Sequence, residues 1–170
     1  TAPESQCHLA MTIILSMISL HLANEDATLN LGRALATHLQ PGLTIFLQGD
    51  LGAGKTTLMR GVLRGLSFEG RVKSPTYTLV ESYSVSSLYL YHFDLYRFKH
   101  EQEWLDAGFN ELFNERNICF VEWPERARTL VPEADITIEL SIEGDGRRVN
   151  ILSKTVNLEN LQALAPAAPS

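Results

Sequence analysis

The chain has 170 residues, of which 45% are hydrophobic and 20% charged, values typical of one soluble globular domain. Its formal net charge of −6 argues against a protein that coats nucleic acid, because phosphate binding needs clustered lysine and arginine. The two cysteines, Cys7 and Cys119, form no Cys-x-x-Cys pair, so we interpret them as reduced thiols. The five histidines show no metal-ligand spacing, and no zinc site is predicted.

Residues 1–16 are interpreted as an N-terminal extension without a clear structural signal. The apolar run at residues 9–22 is too short, and too interrupted by serine and histidine, to span a bilayer. It also lacks the positive charge that precedes the apolar region of a signal peptide. We therefore expect a cytoplasmic protein without a membrane partner. From Met17 to Leu22 apolar residues alternate with polar or small ones, which predicts a half-buried strand.

A helix is predicted after Asn24, which has the side chain of a helix N-cap and is followed by two acidic residues. Apolar residues then recur every four positions, which gives the helix one buried face. The sequence Gln40-Pro41-Gly42 predicts the end of this helix. The residues of the apolar face are Ala27, Leu31, Leu35 and Leu39.

The next stretch matches the phosphate-binding pattern G-x-x-x-x-G-K-[ST] at every fixed position of residues 49–56. An apolar strand at residues 43–47 precedes it, and residues with helical spacing follow it to about Leu66. Backbone N–H groups of such a loop can hold phosphate oxygens, Lys55 can reach the β- and γ-phosphates, and the Thr56 hydroxyl can ligate Mg²⁺. The predicted nucleotide-binding residues here are Gly49, Asp50, Leu51, Gly52, Ala53, Gly54, Lys55, Thr56 and Thr57.

Beyond this loop the pattern predicts more strands than helices. A hairpin is predicted from residues 79–85 and 88–93, a helix at residues 100–114, and a buried strand at residues 117–121. Two further strands, at residues 135–142 and 147–152, flank a Gly-Asp-Gly turn. We therefore predict one α/β domain over residues 17–155, followed by a tail at 156–170 whose Ala/Pro-rich end, residues 163–170, is predicted to be disordered. Its fold class is a P-loop NTPase-type three-layer fold with a mainly parallel central sheet and an added antiparallel hairpin.

Two carboxylates stand at predicted strand ends, where open α/β sheets bind ligands. Asp94 follows the second strand of the hairpin, and Glu122 follows a strand that is the more uniformly apolar of the two, as expected of a central parallel strand. Glu122 is therefore the predicted Mg²⁺ ligand, and Asp94 can orient a water or contact the metal's outer shell. Each acid alone can equally be an ordinary surface carboxylate. The polar loop at residues 74–78, which contains Thr76, can sense the γ-phosphate or be an ordinary turn.

The base of the nucleotide is inferred from a missing motif. Guanine-specific triphosphatases normally carry an Asn-Lys-x-Asp element, and this sequence has none, so adenine is favoured. Two main classes remain open, an ATP-hydrolysing switch or assembly factor and a small P-loop kinase that phosphorylates a small-molecule acceptor. The kinase is disfavoured because a lid-sized insertion is missing, although Arg126 and Arg128 are available arginines. A nucleotide-binding module without turnover is the third possibility.

Four stretches taken together resemble the TsaE family, also called YjeE, of bacterial P-loop ATPases. They agree with the family in order and spacing, and the similarity covers about residues 17–155. The resemblance implies ATP hydrolysis in support of N6-threonylcarbamoyladenosine formation at position 37 of tRNAs that read codons beginning with A. The stretches are GDLGAGKTT at residues 49–57, KSPTYTLVE at 73–81, HFDLYR at 92–97 and EWPE at 122–125.

In that family the transfer itself belongs to a TsaB–TsaD heterodimer, so the resemblance implies this partner, and contact with tRNA only through the complex. It also implies ATP and Mg²⁺ as cofactors, with Mg-dependent hydrolysis that is slow alone and faster with the partner. Thr28 and the turn at Gly146-Arg147 are weaker candidates for the adenosine side. The catalytic residues carried over are Lys55, Thr76, Asp94 and Glu122, with Thr56 and Glu122 at the metal.

Overall fold

The structure, a computed structural model, describes residues 14–164, and its elements alternate as expected of an α/β chain. The predictions for the N-terminal extension up to residue 13 and for the last six residues of the tail lie outside the described residues. The strands are β1 (Ser16–Leu22), β2 (Thr44–Gln48), β3 (Val80–Val85), β4 (Leu88–Asp94), β5 (Asn117–Glu122), β6 (Ile136–Glu143) and β7 (Gly146–Ser153). The helices are α1 (Glu25–Ala36), α2 (Lys55–Gly65) and α3 (Glu101–Asp106), with 3-10 helices at Phe109–Leu112, Pro124–Ala127 and Glu159–Leu164.

All seven strands form one sheet in the order β1-β7-β6-β2-β5-β4-β3. The four central strands β6, β2, β5 and β4 run parallel, β3 is antiparallel to β4, and β7 is antiparallel to β6. Strand β1 is antiparallel to β7 and therefore runs in the same direction as the central strands. This arrangement confirms the predicted mainly parallel sheet with an added antiparallel hairpin. Because β2, β5 and β4 are neighbours, their carboxyl ends lie side by side, and the loops that follow them surround one region.

Two helices cover one face of this sheet and pack unusually closely on each other. A Cβ atom on Gly32 of α1 would lie 2.5 Å from the carbonyl oxygen of Leu58 in α2, and one on Gly61 would collide with the backbone of Leu29. Glycine at both positions therefore lets the two helix backbones approach each other. The approach brings Thr28, near the start of α1, beside the start of α2, with its methyl carbon 3.9 Å from where a Cβ on Gly54 would lie.

The core lies on both faces of the central strands, which makes the fold three-layered. In β5, Ile118 and Phe120 pack toward α1 and α2, whereas Cys119 and Val121 pack toward α3. Alternation of side chains along a strand produces this division. Trp104 of α3 is fully buried in the second layer, where it stacks with Phe93 and other aromatic rings. The sheet is thus buried on both faces, as expected for parallel strands.

The structure corrects the prediction of one helix over residues 100–114. Helix α3 ends at Asp106, and Gly108 adopts a left-handed conformation with φ of +69°. A 3-10 helix then begins at Phe109, so the apolar spacing is shared by two short elements. Helix α1 likewise ends at Ala36, earlier than the Gln40-Pro41-Gly42 stop.

The tail contacts the domain within the described residues. Leu158 and Leu161 are buried in the core, and the Leu158 N–H donates to the Ser16 hydroxyl of β1 at 2.8 Å. The domain boundary at residue 155 stays a prediction, although part of the chain beyond it packs against β1 and α1. Within residues 14–164, no helix combines the length and apolar character that a membrane crossing requires.

Candidate phosphate-binding site

The glycine-rich loop between β2 and α2 has a backbone that favours glycine. Gly49, Gly52 and Gly54 have φ values of +144°, +81° and +106°, in the region that side chains disfavour. Gly54 is the N-cap of α2 and supplies no side-chain hydrogen bond to the first turn. The first N–H groups of α2 therefore have no side-chain acceptor at the cap, and the loop can offer them to an anion.

Lys55 begins α2 and is buried, with 6% of its surface exposed. Its ammonium group donates a hydrogen bond to the carbonyl oxygen of Gly49 and lies 3.5 Å from Oε2 of Glu122. The same nitrogen lies 4.7 Å from the centre of the Trp123 ring. A buried ammonium needs such partners because an isolated buried charge is strongly unfavourable. These contacts place Lys55 directly against the carboxyl end of β5.

Glu122, the last residue of β5, has both carboxylate oxygens in contact with buried groups. Oε2 faces Lys55, and Oε1 lies 2.8 Å from Nε2 of His92, whose side chain is fully buried on β4. Because a carboxylate only accepts hydrogen bonds, Nε2 carries the proton in this pair. Glu122 is therefore held between a cation on α2 and a donor on β4.

Asp94 ends β4 and lies opposite Glu122 in the register of the two parallel strands. Its Oδ1 accepts the N–H of Tyr96 at 3.0 Å, and its Oδ2 accepts the Thr76 hydroxyl at 3.3 Å. The Thr76 hydroxyl is also 2.8 Å from that of Ser74, so the predicted sensor loop is tied to Asp94.

The start of the same loop is fixed by Tyr83 of β3. Its hydroxyl accepts the N–H of Lys73 at 3.2 Å and donates to the Lys73 carbonyl oxygen at 3.3 Å. Burial raises the pKa of the Tyr83 hydroxyl, while the hydrogen bond to Lys73 acts in the opposite direction. The loop is thus attached to the sheet at Lys73 and at Thr76.

One cavity of about 390 Å³ gathers most of the predicted site residues, a volume within the usual range of ligand pockets. Gly49 and Asp50 are the two that do not line it, and they line a neighbouring cavity beside Trp123. Three further residues line the main cavity without having been predicted at the site, namely Asn24, Glu25 and Asp145, and Ser74 lines it as part of the predicted sensor loop. The predicted residues that line it are Thr28, Leu51, Gly52, Ala53, Gly54, Lys55, Thr56, Thr57, Thr76, Asp94, Glu122, Gly146 and Arg147.

The turn between β6 and β7 contacts the phosphate loop directly. The Arg147 guanidinium donates to the carbonyl oxygens of Gly52 and Ala53, each at 3.1 Å, and to that of Gly146 at 2.8 Å. A Cβ atom on Gly146 would collide with the Leu22 carbonyl oxygen of β1, so packing alone favours glycine there. Arg147 therefore supports the loop as a brace, through hydrogen bonds to its backbone that no local sequence pattern predicts.

The oxygen donors of the cavity suit Mg²⁺ bound together with phosphate. Thr56, Asp94 and Glu122 offer hydroxyl and carboxylate oxygens, which this hard cation prefers. In the part of the chain that the structure describes, no group of three or more His, Cys, Asp or Glu side chains could hold a metal ion. Magnesium usually binds through one or two carboxylates plus water and phosphate, and this sparse donor set fits that pattern.

His92 was missed as a site residue although it lies within one of the quoted motifs. Strand alternation was the available signal, because a residue two positions before Asp94 must face the same side of the sheet. Its contact with Glu122 depends on the pairing of β4 with β5, which the sequence did not specify.

The fold and the glycine-rich loop define a P-loop NTPase-type protein, and comparisons with known proteins identify the family. The family model "Threonylcarbamoyl adenosine biosynthesis protein TsaE" matches residues 22–149, more than half of the chain. The chain therefore belongs to the TsaE family.

Relatives and one solved structure agree with this assignment. The tRNA threonylcarbamoyladenosine biosynthesis protein TsaE of Haemophilus influenzae is 40% identical over 140 residues, which cover 79% of this chain and 89% of that protein. The protein of the same name from Bacillus subtilis is 37% identical over 125 residues, covering 74% and 78% respectively. The crystal structure of Bacillus subtilis YdiB superposes with a TM-score of 0.70 at 26% identity, covering 89% of this chain and 93% of that one.

Proposed function

We propose that this protein binds and hydrolyses Mg-ATP and thereby supports the formation of N6-threonylcarbamoyladenosine at position 37 of tRNAs that read A-starting codons. The observation that supports ATP turnover is the meeting of four elements in one cavity: the phosphate loop, Lys55, the two strand-end carboxylates and the tethered Thr76. The pathway is proposed from membership in the TsaE family and from the names of its relatives.

Each predicted residue on the phosphate side of the cavity has a defined task in this proposal. The N–H groups of residues 52–57 surround the phosphates, and Lys55 neutralises charge on the transferred γ-phosphoryl group. Thr56 and Glu122 would hold Mg²⁺, which when bound would neutralise negative charge on the phosphates. Asp94 orients the attacking water, and Thr76, hydrogen-bonded to Asp94, links the sensor loop to the γ-phosphate.

In this proposal the adenosine side of the cavity is formed by the start of α1 and by the β6–β7 turn. Thr28 and Gly146 line the cavity there, on elements that the phosphate loop itself contacts. Arg147 supports the loop from this side through its contacts with Gly52 and Ala53. We propose that the nucleoside lies here.

The protein acts in the cytoplasm on a TsaB–TsaD heterodimer, which carries out the transfer and brings the tRNA. Hydrolysis is slow in the isolated protein because Asp94, which orients the water, also accepts hydrogen bonds from Thr76 and the Tyr96 N–H, which leaves fewer of its lone pairs for that water. The partner accelerates it by completing the arrangement around the γ-phosphate.

One set of assays tests the proposal. Phosphate release from Mg-ATP is measured for the protein alone, with small-molecule acceptors, and with the TsaB–TsaD pair plus tRNA. We expect slow release alone and a clear increase with the pair, and no activity for the control variant Lys55→Ala. Transfer of phosphate to a small acceptor would favour the kinase alternative, and an unchanged rate with the pair would contradict the proposed partner.

A further inference from the structure

His92 is a buried polar residue that core packing alone does not explain. Its side chain is fully buried on β4, between Leu90 and Asp94 on the face that α1 and α2 cover. Its Nε2 donates to Glu122, but its Nδ1 is buried without a hydrogen-bond partner. A buried nitrogen without a partner lowers stability, and an apolar residue of similar size would avoid this loss. The imidazole therefore lowers the stability of the fold at this position. Its hydrogen bond to Glu122 is the contribution that can explain why histidine is present.

That hydrogen bond determines how Glu122 presents its carboxylate. Oε1 is occupied by His92 at 2.8 Å, which leaves Oε2 as the oxygen that faces Lys55 at 3.5 Å. Without the imidazole, the side chain could rotate so that Lys55 contacts either oxygen. A donor behind a metal-binding carboxylate fixes its orientation, and loss of such a donor typically lowers metal affinity about 10–100-fold.

Strand register places the donor where a carboxylate at the end of β5 needs it. His92 lies opposite Phe120 and Asp94 lies opposite Glu122, so the imidazole reaches diagonally to a residue two positions further along β5. Asp94 cannot supply the hydrogen bond because its carboxylate accepts from Thr76 and Tyr96. Among the described side chains that contact Glu122, His92 is the donor that no phosphate uses, and Lys55 is the cation that the phosphates also use.

We propose that His92 is a positioning residue that holds Glu122 with one oxygen directed at the Mg²⁺ and phosphate site. The inference rests on the proposed binding of Mg-nucleotide. It assigns His92 no contact with nucleotide or metal. Its effect is therefore on the gain in nucleotide affinity that Mg²⁺ provides, and not on nucleotide affinity without the metal.

The experiment measures the dissociation constant of ADP with Mg²⁺ and with EDTA, by calorimetry on the full chain. The ratio of the two constants is the magnesium gain. His92→Leu is expected to reduce this gain about tenfold and to leave the affinity in EDTA nearly unchanged. The amide nitrogen of His92→Gln can reach the position of Nε2. This variant is expected to retain the magnesium gain within about threefold, because one N–H donor replaces another.

A matched variant and a second background separate positioning from stability. His92→Asn keeps a buried amide but places its nitrogen near the position of Nδ1, where it cannot replace the donor to Glu122. It is therefore expected to reduce the magnesium gain as His92→Leu does. It replaces His92→Leu in the experiment if that variant does not fold. In a Glu122→Gln background, His92→Asn is expected to produce no further loss of magnesium gain, because both changes act on one group.

The outcomes distinguish this inference from the proposed function. An absent magnesium gain in the wild-type protein would overturn the proposed Mg-nucleotide site itself. A normal wild-type gain that His92→Leu and His92→Asn leave intact would overturn the role of His92 alone. Equal losses of affinity with Mg²⁺ and with EDTA would make His92 a structural residue and would also overturn the inference.

Discussion

Removal of the Arg147 guanidinium tests whether this residue supports the phosphate loop or contacts adenosine. Two of its hydrogen bonds go to the backbone carbonyl oxygens of Gly52 and Ala53, each at 3.1 Å. Arg147 therefore acts on the backbone of the loop and not on a side chain that is proposed to contact ATP. A hydrogen bond from a charged donor contributes about 1.5–3 kcal/mol when desolvated. Because the bond to Ala53 is partly buried and the bond to Gly52 is exposed, each is expected to contribute only about 0.5–1 kcal/mol, in keeping with screening by solvent.

Arg147→Ala is therefore expected to destabilise the ligand-binding conformation of the loop by about 1–2 kcal/mol. This corresponds to roughly 5–30-fold weaker binding of any ligand that the loop holds. The assay compares ATP with inorganic tripolyphosphate, which carries the phosphates without the nucleoside. A loop brace predicts the same loss for both ligands. The matched control is Arg148→Ala, because Arg148 pairs with Glu143 and does not contact the loop.

The refuting result is a loss for ATP with unchanged affinity for tripolyphosphate. That outcome would place the guanidinium at the nucleoside, as the resemblance to the TsaE family implied for this turn. A loss as large for Arg148→Ala would instead mean that the β6–β7 turn as a whole, and not the two hydrogen bonds, controls the loop.

Three further changes test other parts of the structure. Lys55→Ala or Thr56→Ala is expected to abolish ATP hydrolysis, because each removes charge stabilisation or a metal ligand, and wild-type phosphate release by either variant would contradict the site. Burial raises the pKa of the Cys119 thiol to about 12, so in a Cys7→Ser background maleimide labelling at pH 8 should be roughly a thousandfold slower than for an ordinary thiol and become fast in urea. The hydrogen bonds from His21 and then Arg148 lower the pKa of the Glu143 carboxyl, so its contribution to stability is complete above the ordinary glutamate pKa of about 4.3 and is lost as the pH falls through the lower folded value. Urea titrations should accordingly show Glu143→Gln less stable than wild type at pH 6 and the difference shrinking below about pH 4, whereas a difference that grows in acid would refute this sign.

The local elements could be predicted because their signals depend on neighbouring residues. The Asn24 side chain accepts the N–H of Ala27 at 2.9 Å, as an N-cap should, and the glycine-rich loop joins a strand to a helix as its pattern indicates. Alternation predicted β1, both strands of the β3–β4 hairpin and the β6–β7 pair. Each of these signals lies within a few residues and was independent of the rest of the chain.

Long-range contacts could not be predicted because they depend on the register and order of the strands. Arg147 is 95 residues from Gly52 in sequence, and His92 is 30 residues from Glu122. The helix predicted over residues 100–114 breaks at Gly108 for a similar reason. Contacts of Phe109 with the buried aromatic cluster, and not helical spacing, determine where its side chain lies. Tertiary packing overrode the periodic signal there.

The distribution of buried charge is the strongest physical argument that this cavity is a functional site. Within residues 14–164, the buried acidic, basic and histidine side chains are Lys55, His92, Asp94 and Glu122. They lie together where the carboxyl ends of β4 and β5 meet the start of α2. Removing such groups from water lowers stability unless every partner is present, and one nitrogen of His92 still has none. A fold selected for stability alone would spread or replace these groups. These buried groups lie beside a loop that offers free helix N–H groups, an arrangement that suits a negatively charged phosphate with its metal ion. Because Glu122 lies among several charged groups, a hydrogen-bond donor behind it is needed to fix its orientation.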